Sequence, residues 1–244
     1  MPQHSPTPPS AQPVALVSGA GRGLGLAIAQ ELLAHGWRVS IGTRQPVPQL
    51  AAHGPAQLQR SRFDALDALD AASETRWIAE AAAHFGRIDA IVHNAGVLSS
   101  DSVLTASDAE LDRLMAINVK SPMRLTRQLW PYLQQSPNGK VVVMASLAGK
   151  RVRAPEGSLY AISKHAALAL AHGIRHCGGA DRIRCTAICP GFVDTDMADG
   201  VLPEMRAQIS QPADIATLVR TVLELPASAS VAEIPVSWQV ESQY

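Results

Sequence analysis

An excess of one charge is missing from this chain. Lys plus Arg and Asp plus Glu number 21 each across 244 residues, so no net field draws it toward nucleic acid or an anionic membrane. Aromatics are scarce at 4%, which removes the stacking platform that a single-stranded nucleic-acid binder needs. Cysteine is limited to Cys177, Cys185 and Cys189, with no CxxC among them. If Cys185 and Cys189 share a strand, their Cα atoms lie roughly 13 Å apart, beyond disulfide reach. All three read as buried thiols of a reducing compartment. No apolar run approaches bilayer-spanning length. Met1 to Pro13 is rich in Pro, Ser and Gln and lacks the apolar stretch of a signal peptide. The expectation is a cytoplasmic protein with a loose tail over 1–12 and a single domain over 13–244. Its partner is expected to be a small molecule, not nucleic acid or a membrane.

What is present is a hydrophobic fraction of 47%, enough for a substantial core at this length. Short apolar or β-branched runs alternate with longer helical patterns, the order of a parallel sheet wrapped by helices. Val14-Ala-Leu-Val17 is apolar throughout, as a strand buried on both faces requires. Leu24, Ile28 and Leu32 then recur at helical spacing up to His35, where Gly36 stops the helix. Further strands are expected at 38–43, 57–63, 88–93, 140–146, 183–189 and 233–238. The last contains Pro235 and so belongs at a sheet edge. Helices are expected over 68–85, 107–135, 158–177 and from Pro212 onward. The second of these opens with a capping box of Ser107 and Glu110 and bends near Asn118 to Pro122. The sum is an α/β fold of about seven parallel strands, doubly wound, with helices on both faces.

Ser18-Gly-Ala-Gly-Arg-Gly-Leu-Gly25 falls between the first strand and the first helix. Glycines there let a dinucleotide phosphate reach backbone N–H groups and the helix N-terminus, so the fold reads as Rossmann-type. The second strand ends Ile41-Gly42-Thr43-Arg44, without the carboxylate that would bind a ribose 2′-hydroxyl. Arg44, with Arg22 inside the loop, suits a 2′-phosphate instead. NADP(H) is the cofactor expected, with NAD(H) as the alternative.

Tyr160 and Lys164 stand four apart in an expected helix and so share a face. A free phenol ionises near 10; an adjacent ammonium favours the phenolate and makes the tyrosine a usable acid/base. Ser146 closes the fifth strand at the carboxyl edge, where open α/β sheets bind ligands, and could polarise a substrate oxygen.

In this order, Gly19-x3-Gly23-x-Gly25, Ser146, Tyr160 and Lys164 resemble the short-chain dehydrogenase/reductase family, with Ser18 in place of its usual threonine. The resemblance runs from Ser18 to Thr195 and implies more. Asp64 matches the family's acidic residue near the adenine ring. His93-Asn-Ala-Gly96 is similar to its Asn-Asn-Ala-Gly, which places Asn94, Ala95 and Gly96 beside the adenosine ribose. Asn118 matches the asparagine whose carbonyl helps hold a water beside the lysine. Pro190-Gly-Phe-Val-Asp-Thr195 is similar to the nicotinamide-contacting segment, giving Pro190, Gly191, Val193 and Thr195 that role beside Leu24 and the glycines. Lys164 is implied both to lower the Tyr160 pKa and to bind the nicotinamide ribose. The family is also the source of an expected homotetramer or homodimer, built on the helices at 107–135 and 158–177.

No metal is expected. His172 and His176 have a ligand spacing, but no HExxH or carboxylate accompanies them, and with His165 they form a stripe suited to a surface or subunit interface. Lys150-Arg-Val-Arg153 reads as a solvated basic loop, with attraction of a carboxylate or phosphate-bearing substrate as the alternative. Residues 191–211 are expected to form a short mobile lid that carries substrate choice. The function these readings imply is reduction of a ketone or 3-oxo group. The alternatives are alcohol oxidation and a dinucleotide-binding sensor without turnover.

Overall fold

A computed structural model describes residues 12–44, 59–198 and 203–240. Seven parallel strands form one sheet: β1 (Val14–Ser18), β2 (Arg38–Thr43), β3 (Ser61–Ala65), β4 (Ala90–His93), β5 (Lys140–Met144), β6 (Arg184–Pro190) and β7 (Glu233–Val236). Their spatial order is β3-β2-β1-β4-β5-β6-β7. Chain order therefore reverses between β1 and β4, and in open α/β sheets the crevice outside the strands' carboxyl ends at that point binds ligands. β1, β4 and β5 are buried along their whole length. That explains their unbroken apolar character, since helices cover both faces.

The helices are α1 (Gly23–Ala34), α2 (Ala71–Phe85), α3 (Asp108–Met115), α4 (Ser121–Gln135), α5 (Ser158–Cys177), the short α6 (Pro203–Arg206) and α7 (Pro212–Glu224). One core layer packs Ile28, Leu32 and Val219 against the sheet, and the other packs Trp77, Leu125, Leu129 and Ala167. Full burial of each large side chain contributes about 1.5–3 kcal/mol. β7 lies at the edge, and Pro235 is on its exposed flank.

Several boundaries differ from the sequence reading. The helix before Phe85 begins at Ala71 because Asp70 caps it, accepting from the Ala72 N–H. β3 starts at Ser61; residues 57 and 58 lie outside the described residues, as do 1–11 of the expected tail and 199–202 of the expected lid. The expected bend at 118–122 is a π-helical turn over Ala116–Lys120, with Pro122 in the first turn of α4. The capping box is half made. Ser107 accepts from the Glu110 N–H, while the Glu110 carboxylate turns to Arg113 in a bidentate pair at 2.7 and 2.8 Å. Cys177 is exposed, against the expectation of three buried thiols; only Cys185 and Cys189 are buried.

Candidate active site

The carboxyl ends of the strands open into a cavity of about 1360 Å³, and its walls bring most of the sequence candidates together. On one side are Gly19, Arg22, Gly23, Leu24, Gly25 and Arg44. Facing them are Asn94, Ala95, Gly96, Ser146, Tyr160 and Lys164, then Pro190, Gly191, Val193 and Thr195.

The glycines are required by geometry. Gly19 has φ +66°, and a Cβ there would lie 2.7 Å from the Ala95 Cα. A Cβ on Gly25 would lie 2.4 Å from the Asn94 Nδ2. The loop is thus pressed against the segment after β4, and hydrogen bonds hold the contact. Ser18 Oγ donates to the Val92 carbonyl at 3.3 Å and accepts from the Asn94 and Ala95 N–H groups, both at 3.1 Å. Asn94 Nδ2 donates to the carbonyls of Ser18 and Gly19 at 3.2 and 3.0 Å. Ser18 is buried and outside the cavity wall; its hydroxyl positions the residues that form the wall.

Asp64 is also kept from the wall. Its carboxylate accepts from Ser40 Oγ at 2.9 Å and Arg62 Nε at 2.7 Å. Leu66, Asp67, Ala68 and Leu69 line that end of the cavity instead. Arg22 pairs across the cleft with Asp196 at 2.6 Å, both side chains largely exposed.

Ser146 lies just beyond β5 and caps a 3₁₀ turn at Leu147–Gly149, accepting from the Ala148 N–H at 3.1 Å. Its hydroxyl donates to the Pro190 carbonyl at 3.3 Å. Gly149 lets this turn touch α5, since a Cβ there would lie 2.5 Å from the Lys164 carbonyl. Serine, tyrosine and lysine are therefore set by one helix and the turn pressed on it.

Lys164 Nζ donates to the Met144 carbonyl at 2.8 Å and lies 5.6 Å from the centre of the Tyr160 ring. Burial pulls the ammonium down to about 8. Burial pushes the Tyr160 phenol up to about 12, with the Ser146 hydroxyl pulling the other way. Asn118 is buried in the π-turn. Its Oδ1 accepts from the Val97 N–H at 2.9 Å, and its Nδ2 donates to the Val97 carbonyl at 3.0 Å and to Ser163 Oγ at 2.9 Å. The side chain staples the segment after β4 to the helix carrying Tyr160 and Lys164; Ile117 supplies the cavity wall beside it.

The basic loop is divided. Lys150 pairs with Glu233 at 2.5 Å, and Glu233 also meets His172 Nε2 at 2.7 Å. Arg151, Val152 and Arg153 line the cavity, and Val152 and Arg153 are exposed to solvent. Trp238, beyond β7, also lines it. No local pattern in the sequence singles Trp238 out, because its approach depends on the pairing of β7 with β6. The described part of the expected lid is tied down, with Asp194 bonded to the Ser210 carbonyl through its N–H and to Arg206 through its side chain. Among the described residues no cluster fit to hold a metal occurs, and no helix is long and apolar enough to cross a membrane.

The family model for short chain dehydrogenases matches residues 13–206. An agropine synthesis reductase of Rhizobium rhizogenes is 38% identical over 233 residues, 94% of this chain and 53% of that protein. The chain thus spans about half the length of that relative. Oxidoreductase UcpA of Escherichia coli (strain K12) is 33% identical over 201 residues, 82% of this chain and 74% of that protein. An alcohol dehydrogenase from the archaeon Thermococcus sibiricus, solved with 5-hydroxy-NADP, superposes with a TM-score of 0.83 at 26% identity, covering 95% of this chain and 99% of its own. A match over most of the chain, on a sheet and glycine loop of this geometry, means that the chain belongs to the short-chain dehydrogenase/reductase family of oxidoreductases.

Proposed function

We propose that this chain reduces a ketone or 3-oxo group with NADPH, Tyr160 serving as the proton donor. The observation that carries the reading is that Ser146, Tyr160 and Lys164 face the same cavity into which the glycine loop opens. That cavity fits a dinucleotide. At Gly19 and Gly25 any side chain would strike residues 94 and 95, so the loop packs closely there, and Gly19, Gly21, Gly23 and Gly25 border the cavity with backbone alone, as a phosphate site at a helix N-terminus needs. Gly19, Gly23, Leu24 and Gly25 would hold the pyrophosphate, and Asn94, Ala95 and Gly96 would border the adenosine ribose. Lys164, Pro190, Gly191, Val193 and Thr195 would hold the nicotinamide end. Arg44 and Arg22 would meet a 2′-phosphate, and β2 ends without a carboxylate to bind the bare hydroxyl. The solved alcohol dehydrogenase relative carries an NADP derivative, which supports the same choice.

When bound, the reduced nicotinamide supplies the hydride. Ser146 holds the substrate oxygen through its hydroxyl and aligns it with the Tyr160 phenol. Tyr160, kept protonated at neutral pH by its burial, passes its proton to that oxygen as negative charge develops there. Lys164 is cationic below about 8 and stabilises the tyrosinate left behind. Asn118 keeps helix α5 and the cavity wall in register while this happens. The assembly we propose is a homodimer or homotetramer joined on α4 and α5, supported by the exposed Met123 and Ile162 on those helices; light scattering tests it.

Fluorescence titration with NADPH and with NADH, followed by a panel of ketones, tests the function. Tighter binding of NADPH and consumption of it by a ketone are expected. Tighter NADH binding would overturn the cofactor assignment, and binding without turnover of any ketone would overturn the reductase.

A further inference from the structure

A dinucleotide laid out as above ends at the edge of the sheet. Lys164 bonds to the end of β5, the glycine loop follows β1, Arg44 follows β2 and residues 66–69 follow β3, and the strands stand in the order β5-β4-β1-β2-β3. With the nicotinamide at Lys164 and the 2′-phosphate at Arg44, the adenine falls against Leu66, Asp67, Ala68 and Leu69, which line the cavity. Two helices hold this segment from behind. The Ser73 hydroxyl of α2 accepts from the Asp67 N–H at 3.0 Å and stands 2.9 and 2.8 Å from the Asp67 and Asp70 carbonyls. The second tie comes from Arg124 of α4. Its Nη2 donates at 3.0 Å to the Ala68 carbonyl, and its Nε and Nη2 donate at 2.8 and 2.7 Å to Glu74, whose side chain is fully buried.

We propose that Arg124, locked by Glu74, is a positioning residue that fixes the adenine wall from outside the cavity and so sets the affinity for the nucleotide. This rests on the dinucleotide reading above. Neither Glu74 nor Arg124 lines the cavity, so the effect passes through the Ala68 carbonyl. A guanidinium suits the task, because its planar fork grips the carboxylate with two donors and still presents a hydrogen to the carbonyl. A wall already ordered in this way has less conformational freedom to lose when the base arrives. The two helices do not depend on the pair to stay docked. Trp77, Ile78, Leu125 and Leu129 share one core, and the Thr75 hydroxyl donates to Gln128 Oε1 at 2.9 Å.

Fluorescence titration with NADPH and NADH, urea unfolding and steady-state kinetics on three variants test the proposal. Arg124→Met strands a buried carboxylate and should lower the urea midpoint. It should also weaken both nucleotides about tenfold, the scale of one lost charge-assisted hydrogen bond. Glu74→Met combined with Arg124→Met removes the stranded charge, so the midpoint should return. The Ala68 carbonyl is still released, so both nucleotides should stay weak, with KM for NADPH raised about tenfold and kcat at saturation retained. Arg124→Lys should recover part of the affinity, since an ammonium meets Glu74 or Ala68 but lacks the fork. Affinity that returns with stability in the double variant would overturn the proposal and leave the pair purely structural. A fall in kcat at saturating NADPH would overturn it too. The ratio of NADPH to NADH affinity should not move, because both carry adenine; a changed ratio would place the effect on the 2′-phosphate instead. Tighter NADH binding by the unaltered protein refutes the cofactor assignment, and binding without turnover refutes the reductase, while the titrations of the variants still decide the role of Arg124. Binding of neither nucleotide refutes all three.

Discussion

The two ends of the sheet use polar groups in opposite ways. At the amino end, just before β4, Asp89 is buried and accepts four times. Its donors are the Val14 N–H at 2.9 Å, Arg87 at 2.6 and 2.8 Å, and the Ser136 hydroxyl at 2.6 Å. Nearby, Arg38 lies over the Phe85 ring at 4.6 Å and bonds to the Phe85 carbonyl. The Asp89 carboxylate is thus closed against donors from three segments, and it acts as a clasp. At the carboxyl end the buried cation of Lys164 rests on the Met144 carbonyl, and the Tyr160 phenol is turned to the cavity. Burial shifts both toward their neutral forms. The lesson is that one end holds the fold together while the other keeps reactive groups under desolvation, at a cost in stability.

Removing the proton donor should have the largest effect. Tyr160→Phe is expected to lower kcat by about 10³-fold, in the range of lost acid–base catalysis, with NADPH affinity retained. Near-normal turnover would remove Tyr160 from the mechanism.

Next come two substitutions of opposite sign. Asp89→Ala should cost about 3 kcal/mol by urea unfolding, because buried donors lose their acceptor, and should leave kcat/KM in place. Lys164→Met should abolish turnover yet raise stability at pH 7, by up to about 3 kcal/mol. The sign follows from titration. Lys164 releases its proton near 8 in the fold but near 10.4 in the unfolded chain, so the fold disfavours the charge and regains stability as pH rises from 8 to 10.4. If both variants unfold at lower urea, the two ends do not differ as described.

How much of this was legible in the sequence follows the same division. The strands β1, β4 and β5, the glycine loop and the Tyr160–Lys164 spacing rest on local patterns, and they stand in the structure at or within a few residues of where the periodicity puts them. Arrangements needing two distant segments were not legible. Asp64 has the position of a ligand residue, and only the folded chain shows that its carboxylate also accepts from Ser40 on β2 and from Arg62 on β3. Trp238 reaches the cavity only because β7 pairs with β6. The clasp of Asp89 joins β1, the segment before β4 and the chain after α4, three places that no single window of sequence contains.

A smaller effect concerns His93, which sits at the carboxyl end of β4 but packs into the interior. Its Nε2 meets Thr126 Oγ1 at 2.8 Å, its Nδ1 has no partner, and burial holds its pKa near 3. The unfolded chain takes up that proton near 6.5. Stability is therefore fully present above 6.5 and falls as pH drops toward 3, by about 1.4 kcal/mol per unit from this residue. Urea midpoints at pH 7.5 and 5.5 should converge in His93→Asn. An unchanged pH dependence in that variant would assign the acid sensitivity elsewhere.

The smallest effect is the most specific to the open end. Arg22 and Asp196 form an ion pair whose side chains are 76% and 68% exposed, and such pairs contribute little to stability because water screens them. Asp196→Asn should therefore leave the unfolding midpoint where it is. What the pair does affect is the availability of Arg22, which has to leave Asp196 before it can meet a phosphate. Relieved of that competitor, Arg22 should tighten NADPH binding by a few-fold, with little change for NADH, which lacks the 2′-phosphate. Fluorescence titration with both nucleotides measures the difference. Equal tightening for both would place the arginine on the pyrophosphate instead, and weaker binding of NADPH would mean that Asp196 holds Arg22 in its working position. At the amino end the same substitution logic gives the reverse, since no ligand competes for Arg87, and its pair with Asp89 is part of the fold itself.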